Sequence, residues 1–413
     1  MYIVFTTSHY FKENSSAAAA AAAAVYQEVS FSIIMCRWIT FISTQEMTLS
    51  DIVLKPSNSL VEQSIDASYH PGFTQRYNHT INADGFGVGW YHKNGPNPAL
   101  FRDTQPAWSN VNLREICTST KSSCVIAHVR AASPGMGVDM PNVHPFKVGR
   151  LLFCHNGAIQ QFAKIRRKLM AQFTDEAFAH VKGTTDSECA FALILTNLSQ
   201  DGRGPNHGSV SPFKQEEPFG HDRLYEAVKR TIRQLEHMLH LSGIAESTDV
   251  PSRMNFALTD GETVICSRFC DKYPLEAPPS LYFCYGEAEQ LQKELCDDDC
   301  LNAVTDSHHG SDNGTEDDTD LEEENAEYRD AIEKDLSQQH SLPGKLLSQV
   351  DPVSSAFIVS SDPLTKTSSE LTWHRVAANS ILCYTRGSVP RLYKLNIGGA
   401  KRPEDYAFYL VDF

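Results

Sequence analysis

Sixteen of the chain's 51 acidic residues fall between Asp297 and Asp335, against only two basic ones, and this run divides an otherwise apolar-patterned chain. Like charges at that density repel one another and show no apolar periodicity. The run is therefore expected to be a solvated, disordered insertion, with limits at about 287 and 345. Strand-like patterns resume beyond it, at Ala356 to Ser360, Trp373 to Val376 and Ser380 to Thr385. Any core must accordingly be assembled from both sides of an interruption.

The acidic run also explains the charge balance. The formal charge is -15, and the run contributes all but about one unit of it. What remains is nearly neutral, with no basic face for phosphate backbones, so nucleic acid is not an expected partner. No stretch reaches the roughly 18 consecutive apolar residues of a membrane span, so no membrane partner is expected either. Eleven cysteines, an odd number at irregular spacing, read as free thiols in a reducing compartment, which points to the cytoplasm. Ahead of Met35 lies a segment with eight alanines, Ala17 to Ala24; it lacks arginine and contains Glu13 and Glu28, which fits neither a secretory nor a mitochondrial signal.

From Met35 onward, short β-rich runs are bounded by turn residues. Before the acidic run, strands are predicted at Phe86 to Tyr91, Cys124 to Val129, Leu151 to Cys154, Met254 to Thr259, Thr263 to Arg268 and Ser280 to Tyr285. Helices are predicted at Gln160 to Phe173, Ser187 to Asn197 and Tyr225 to Leu241, the second capped by Thr185 or Asp186. Gln200 to Gly220 reads as a surface loop, and Thr259-Asp260-Gly261-Glu262 as a hairpin turn.

Four segments carry possible chemistry: Met35-Cys36-Arg37-Trp38, Ala127-His128-Val129-Arg130-Ala131, Phe153-Cys154-His155-Asn156-Gly157-Ala158 and Thr184-Thr185-Asp186-Ser187-Glu188. Singly, each has an ordinary explanation. A free cysteine favours the interior, Asn-Gly favours a hairpin turn, and an aspartate before a helix favours a cap. In this order and spacing they resemble the class II glutamine amidotransferases, a branch of the N-terminal nucleophile hydrolases. Within that family, the runs Asn82 to Tyr91, Asn142 to Phe146, Asp186 to Ala192, Thr259-Asp260-Gly261 and Ser361 to Leu364 are similar to the amidotransferase subunit of the fungal glutathione-degradation complex. Ala131 departs from the sugar-phosphate aminotransferase branch, where an aromatic residue commonly follows the arginine, and no synthase or isomerase domain is expected.

The resemblance implies an α+β fold, a four-layer α/β/β/α sandwich over residues 36–413, with residues 1–35 an upstream extension absent from or removed in the active form. It implies Cys36 as nucleophile, Asn156 and Gly157 as oxyanion donors, and Arg130 and Asp186 as the grip on the glutamyl head. No cofactor is expected. The expected reaction is hydrolysis of the γ-glutamyl amide of glutathione, with a metallopeptidase-like partner subunit. Glutamine or another γ-glutamyl compound is the nearer alternative, and a catalytically silent scaffold the more distant one. The chemistry is coherent by itself. The α-amine of an N-terminal cysteine, ordinarily near pKa 7.7 to 8.0, can act as base to the thiol beside it. An arginine fork and a carboxylate can together read a zwitterionic head. Cys296 and Cys300 with His308 and His309 could suggest a metal clip, but no second well-spaced pair follows, so no metal site is expected. His128, His144 and His155 are expected to be structural.

Overall fold

A computed structural model describes residues 36–66, 81–132, 137–200, 211–244, 250–296, 355–365 and 371–395. Among the described residues the first sheet has seven strands: β1 (Arg37–Thr48), β2 (Phe86–Trp90), β3 (Ala99–Asp103), β4 (Lys121–Val129), β9 (Tyr282–Gly286), β10 (Ala356–Ser360) and β11 (His374–Arg375), in the order β11-β9-β10-β1-β4-β2-β3. The second has six among the described residues: β5 (Phe146–Val148), β6 (Leu151–Ala158), β7 (Arg253–Thr259), β8 (Thr263–Arg268), β12 (Ser380–Thr385) and β13 (Arg391–Lys394), in the order β13-β12-β8-β7-β6-β5. Every pairing in both is antiparallel.

The layers follow from alternation along strands buried on both faces. In β1, Ile39 and Phe41 pack with helices α1 (Leu49–Val53), α2 (Leu60–Ile65), α3 (Val111–Ser119) and α8 (Ala288–Leu295), whereas Trp38 and Ile42 face the second sheet. In β6, Leu152 and Cys154 meet Trp38 and Ile126 between the sheets. Leu151 and Phe153 pack outward against α4 (Phe162–Met170), α5 (Asp175–His180), α6 (Asp186–Ser199) and α7 (His221–Leu241). The result is helix on sheet on sheet on helix, the sandwich that the resemblance implies. The Asp260 carboxylate closes the predicted hairpin between β7 and β8, accepting from Glu262 N at 3.0 Å and Thr263 N at 2.8 Å.

The acidic run interrupts this core in the first sheet, because β10 lies between β9 and β1 although its residues come from beyond the run. The structure moves the expected start of the insertion. Residues 288–295 form α8, whose Ala288, Leu291 and Leu295 are buried against the first sheet. The stretch 297–354, with Cys300, His308 and His309, lies outside the described residues, as do residues 1–35.

Candidate active site

Strand periodicity brings three of the expected residues to one face. Arg37 pairs with Val129 and Trp38 with His128, so Cys36 meets β4 at Arg130. Cys36 shares the Trp38 face of β1, Arg130 the Ile126 face of β4 and Asn156 the Cys154 face of β6, all turned into the space between the sheets. Strand register thus places Cys36 beside Arg130 at the start of β1. Cys36 is half-buried, its Sγ 3.6 Å from the Ala131 carbonyl oxygen and accepting from Ala131 N–H at 3.4 Å. Burial pushes its thiol up from the ordinary value, and the Asp186 carboxylate adds to that; the Ala131 N–H and the cations Arg130 and Arg37 pull it back. A thiol held in this balance needs a base nearby to become a nucleophile at neutral pH.

Arg130 is buried, and its Nη1 donates to the carbonyls of Gly137 at 3.2 Å and Asp84 at 3.5 Å. Asp84 also braces the strand end, its carboxylate accepting from Ala132 N at 2.8 Å. Asn156 is 1% exposed, and among the described residues neither its Oδ1 nor its Nδ2 has a hydrogen-bond partner. An orphaned buried amide costs on the order of 1–3 kcal/mol, which is tolerated where a ligand completes it. Asn156 and Gly157 sit inside β6 rather than in the hairpin turn that the dipeptide alone favours. The φ of Gly157 is 140°, and a Cβ there would collide with the Arg253 carbonyl oxygen on β7, so only glycine fits.

Asp186 opens α6, but the cap is Thr185, whose hydroxyl accepts from Glu188 N at 3.2 Å. Relieved of capping, the half-buried Asp186 carboxylate accepts from Ile159 N at 2.7 Å and Ser187 N at 2.8 Å. Beside it run the three histidines: His155 Nδ1 is 2.9 Å from Ser187 Oγ, His128 Nε2 is 3.3 Å from the His155 carbonyl oxygen, and His144 Nδ1 is 2.9 Å from His128 Nε2. Burial drives all three imidazoles toward the neutral form, His128 down to about 3.

Residues without an assigned role in the sequence reading also belong here. Arg37 and Asp362 form an ion pair at 2.9 Å beside Cys36, and Asp84 and Ser187 brace Arg130 and Asp186. Asp362 lies in the run Ser361 to Leu364 that carries the resemblance, but no local signal joins it to a partner 325 positions away. A cavity of about 480 Å³ lined by Thr44, Glu46, Tyr91, Arg150, Glu262 and Arg386 lies toward the far end of β1 from Cys36. It contains none of the candidate residues, and its Arg386 is paired with Glu262 at 2.9 Å. Among the described residues no group of three His, Cys, Asp or Glu could hold a metal ion, and no helix is long and apolar enough to cross a membrane.

A half-buried thiol at the start of the central strand of such a sandwich, with Arg130, Arg37 and Asp186 close enough to shift its titration, makes this the candidate site. Relatives place it further. The profile of the glutamine amidotransferases class-II matches residues 57–217. Probable glutamine amidotransferase DUG3 of Saccharomyces cerevisiae is 38% identical over 258 residues, 62% of this chain and 69% of that protein. The γ-glutamyl-hercynylcysteine sulfoxide hydrolases of Mycobacterium tuberculosis and Mycolicibacterium smegmatis are 33% and 32% identical over 128 residues, 31% of this chain and about half of theirs. The chain belongs to the class II glutamine amidotransferases, a family of enzymes.

Proposed function

We propose that the chain hydrolyses the γ-glutamyl amide bond of glutathione, releasing glutamate and cysteinylglycine, through a glutamyl-thioester on Cys36. The observation that carries the reading is the buried, unpartnered Asn156 amide on the inter-sheet face it shares with Cys36. A carbonyl attacked by the thiol turns into an oxyanion, and a donor waiting without a ground-state partner stabilises that charge without reorganising.

The steps follow from the groups around the thiol. With Cys36 at the N-terminus, its α-amine accepts the thiol proton as Sγ bonds to the amide carbon. Asn156 Nδ2 and the Gly157 N–H receive the oxyanion. The C–N bond then breaks, the departing amine takes the proton from the α-ammonium, and the thioester remains. Water, deprotonated by the same amine, displaces the sulfur and frees glutamate. Arg130 holds the substrate α-carboxylate, and Asp186 its α-ammonium.

Glutathione is favoured over glutamine by the motif resemblance to the fungal glutathione-degradation subunit. The mycobacterial relatives, named as hydrolases of a γ-glutamyl-hercynylcysteine sulfoxide, are consistent with an amine side larger than ammonia. Since the named residues address only the glutamyl end, a metallopeptidase-like partner is proposed to complete the other half of the site. The test measures cysteinylglycine release from glutathione beside ammonia release from glutamine, with and without that subunit. Glutathione cleavage that rises sharply with the partner is expected. Brisk glutaminase activity with none on glutathione would transfer the reading to glutamine.

A further inference from the structure

We propose that Arg37, held in place by Asp362 and Ser280, is a positioning residue for Cys36: it fixes the peptide plane that carries the thiol and ties the reacting end of β1 to a segment from beyond the acidic run. The inference deepens the function proposed above and rests on it for the role of Cys36.

The Arg37 and Asp362 side chains are each 1% exposed, and Arg37 Nε donates to Asp362 Oδ2 at 2.9 Å. The same guanidinium reaches back through Nη1 to donate to the Cys36 carbonyl oxygen at 3.2 Å. The other carboxylate oxygen of Asp362 accepts from Ser280 Oγ at 2.8 Å, so the carboxylate is held from both sides. The neighbouring Ser361 binds both backbone groups of Trp38: its Oγ accepts the Trp38 N–H, and its own N–H donates to the Trp38 carbonyl, each at 3.0 Å. Three consecutive residues at the start of β1 are thus tied to the pair Ser361-Asp362.

Stability alone does not explain a fully buried ion pair here, because desolvating two charges cancels much of their attraction and apolar residues would serve as well. Geometry does. A cysteine at a free N-terminus has no preceding peptide bond to orient it, so its carbonyl is the backbone handle left, and Arg37 holds that handle. A guanidinium can grip two acceptors in one plane, which an ammonium cannot do with the same rigidity. The positive charge also lies beside the thiol, among the other groups that face it: Arg130 and Ala131 at the end of β4, Cys154 on β6 and Asp186 on α6.

The test uses the protein as matured in cells. Arg37→Lys keeps a charge opposite Asp362 but loses the fork. It is expected to unfold cooperatively near the wild-type temperature while kcat falls about tenfold to a hundredfold with little change in KM. Asp362→Asn should act in the same direction, and Ser280→Ala more mildly. Alkylation of Cys36 by iodoacetamide, followed by intact mass against pH, supplies a readout without substrate; Arg37→Met should move its midpoint to higher pH. Wild-type kcat in a folded Arg37→Lys protein, or an unshifted alkylation profile, would overturn the proposal, and so would a raised KM with kcat intact. Should the Arg37 variants fail to fold, Ser280→Ala decides it, since that variant leaves the ion pair in place: unchanged kcat there counts against positioning. Full turnover by Cys36→Ala would instead sink the nucleophile assignment alone, because alkylation still reports on Arg37.

Discussion

A thiol raised by burial and lowered by two arginines is a poor nucleophile until something removes its proton, and at Cys36 the proposed base is its own α-amine. A peptide bond at that nitrogen would convert the amine into a non-basic amide. The mature active protein is therefore expected to begin at Cys36, and intact-mass measurement on protein from its native source checks this; an active form still carrying residues 1–35 would refute the mechanism. Cys36→Ala should abolish turnover while γ-glutamyl ligands still bind. Asn156→Ala should lower kcat by about a hundredfold to a thousandfold, the usual cost of one oxyanion donor, and steady-state kinetics will show whether the loss lies in kcat. Gly157→Ala should destabilise the fold by on the order of 3 kcal/mol, because its Cβ meets the Arg253 carbonyl and its φ is positive. Denaturant midpoints measure that effect directly.

At the scale of elements, β6 delivers Asn156 to the inter-sheet face, and α6 presents Asp186 because Thr185 performs the capping. Between them, His128, His144 and His155 are buried as neutral rings, with His128 at about 3 against an ordinary 6.5. The unfolded chain takes up protons at these rings below about pH 6.5, whereas the fold does not, so their contribution to stability is complete above that pH and lost as pH falls. Urea unfolding should show a loss of about 1.4 kcal/mol from His128 alone between about pH 7.5 and 5.5, with His144 and His155 adding in the same direction. Asp271 and Asp362, which burial raises above the ordinary carboxylate value, act in the opposite sense at lower pH. A flat profile across that window would mean that the rings are charged or solvated in the fold.

For the whole molecule, the boundary between core and acidic run becomes a test of architecture. Replacing Asp297 to Asp335 by a short Gly/Ser linker should leave the thermal midpoint nearly unchanged, since loop-closure entropy varies slowly with length. Removing 287–345 should collapse the fold, because that cut takes away α8 and the burial of Ala288, Leu291 and Leu295. Calorimetry on the two deletions separates the outcomes. Equal stability would mean that α8 contributes nothing to the core.

Much of this was legible in the chain. Two strands beyond the acidic run, Ala356 to Ser360 and Ser380 to Thr385, stand where their patterns place them, because apolar and β-branched runs between turn residues are local signals. The order and spacing of Cys36, Arg130, Asn156-Gly157 and Asp186 marked the candidate site, through their resemblance to the family. Local pattern did not reveal β1 over Arg37–Thr48, nor α8 hidden at the edge of an acidic stretch. Their burial depends on partners far along the chain. Nor could any window join Arg37 to Asp362, or decide between Thr185 and Asp186 as the cap. Residue type and spacing are properties of the chain and determine which chemistry is available; which carboxylate is buried against which cation depends on how two sheets stack, and only the tertiary structure decides that.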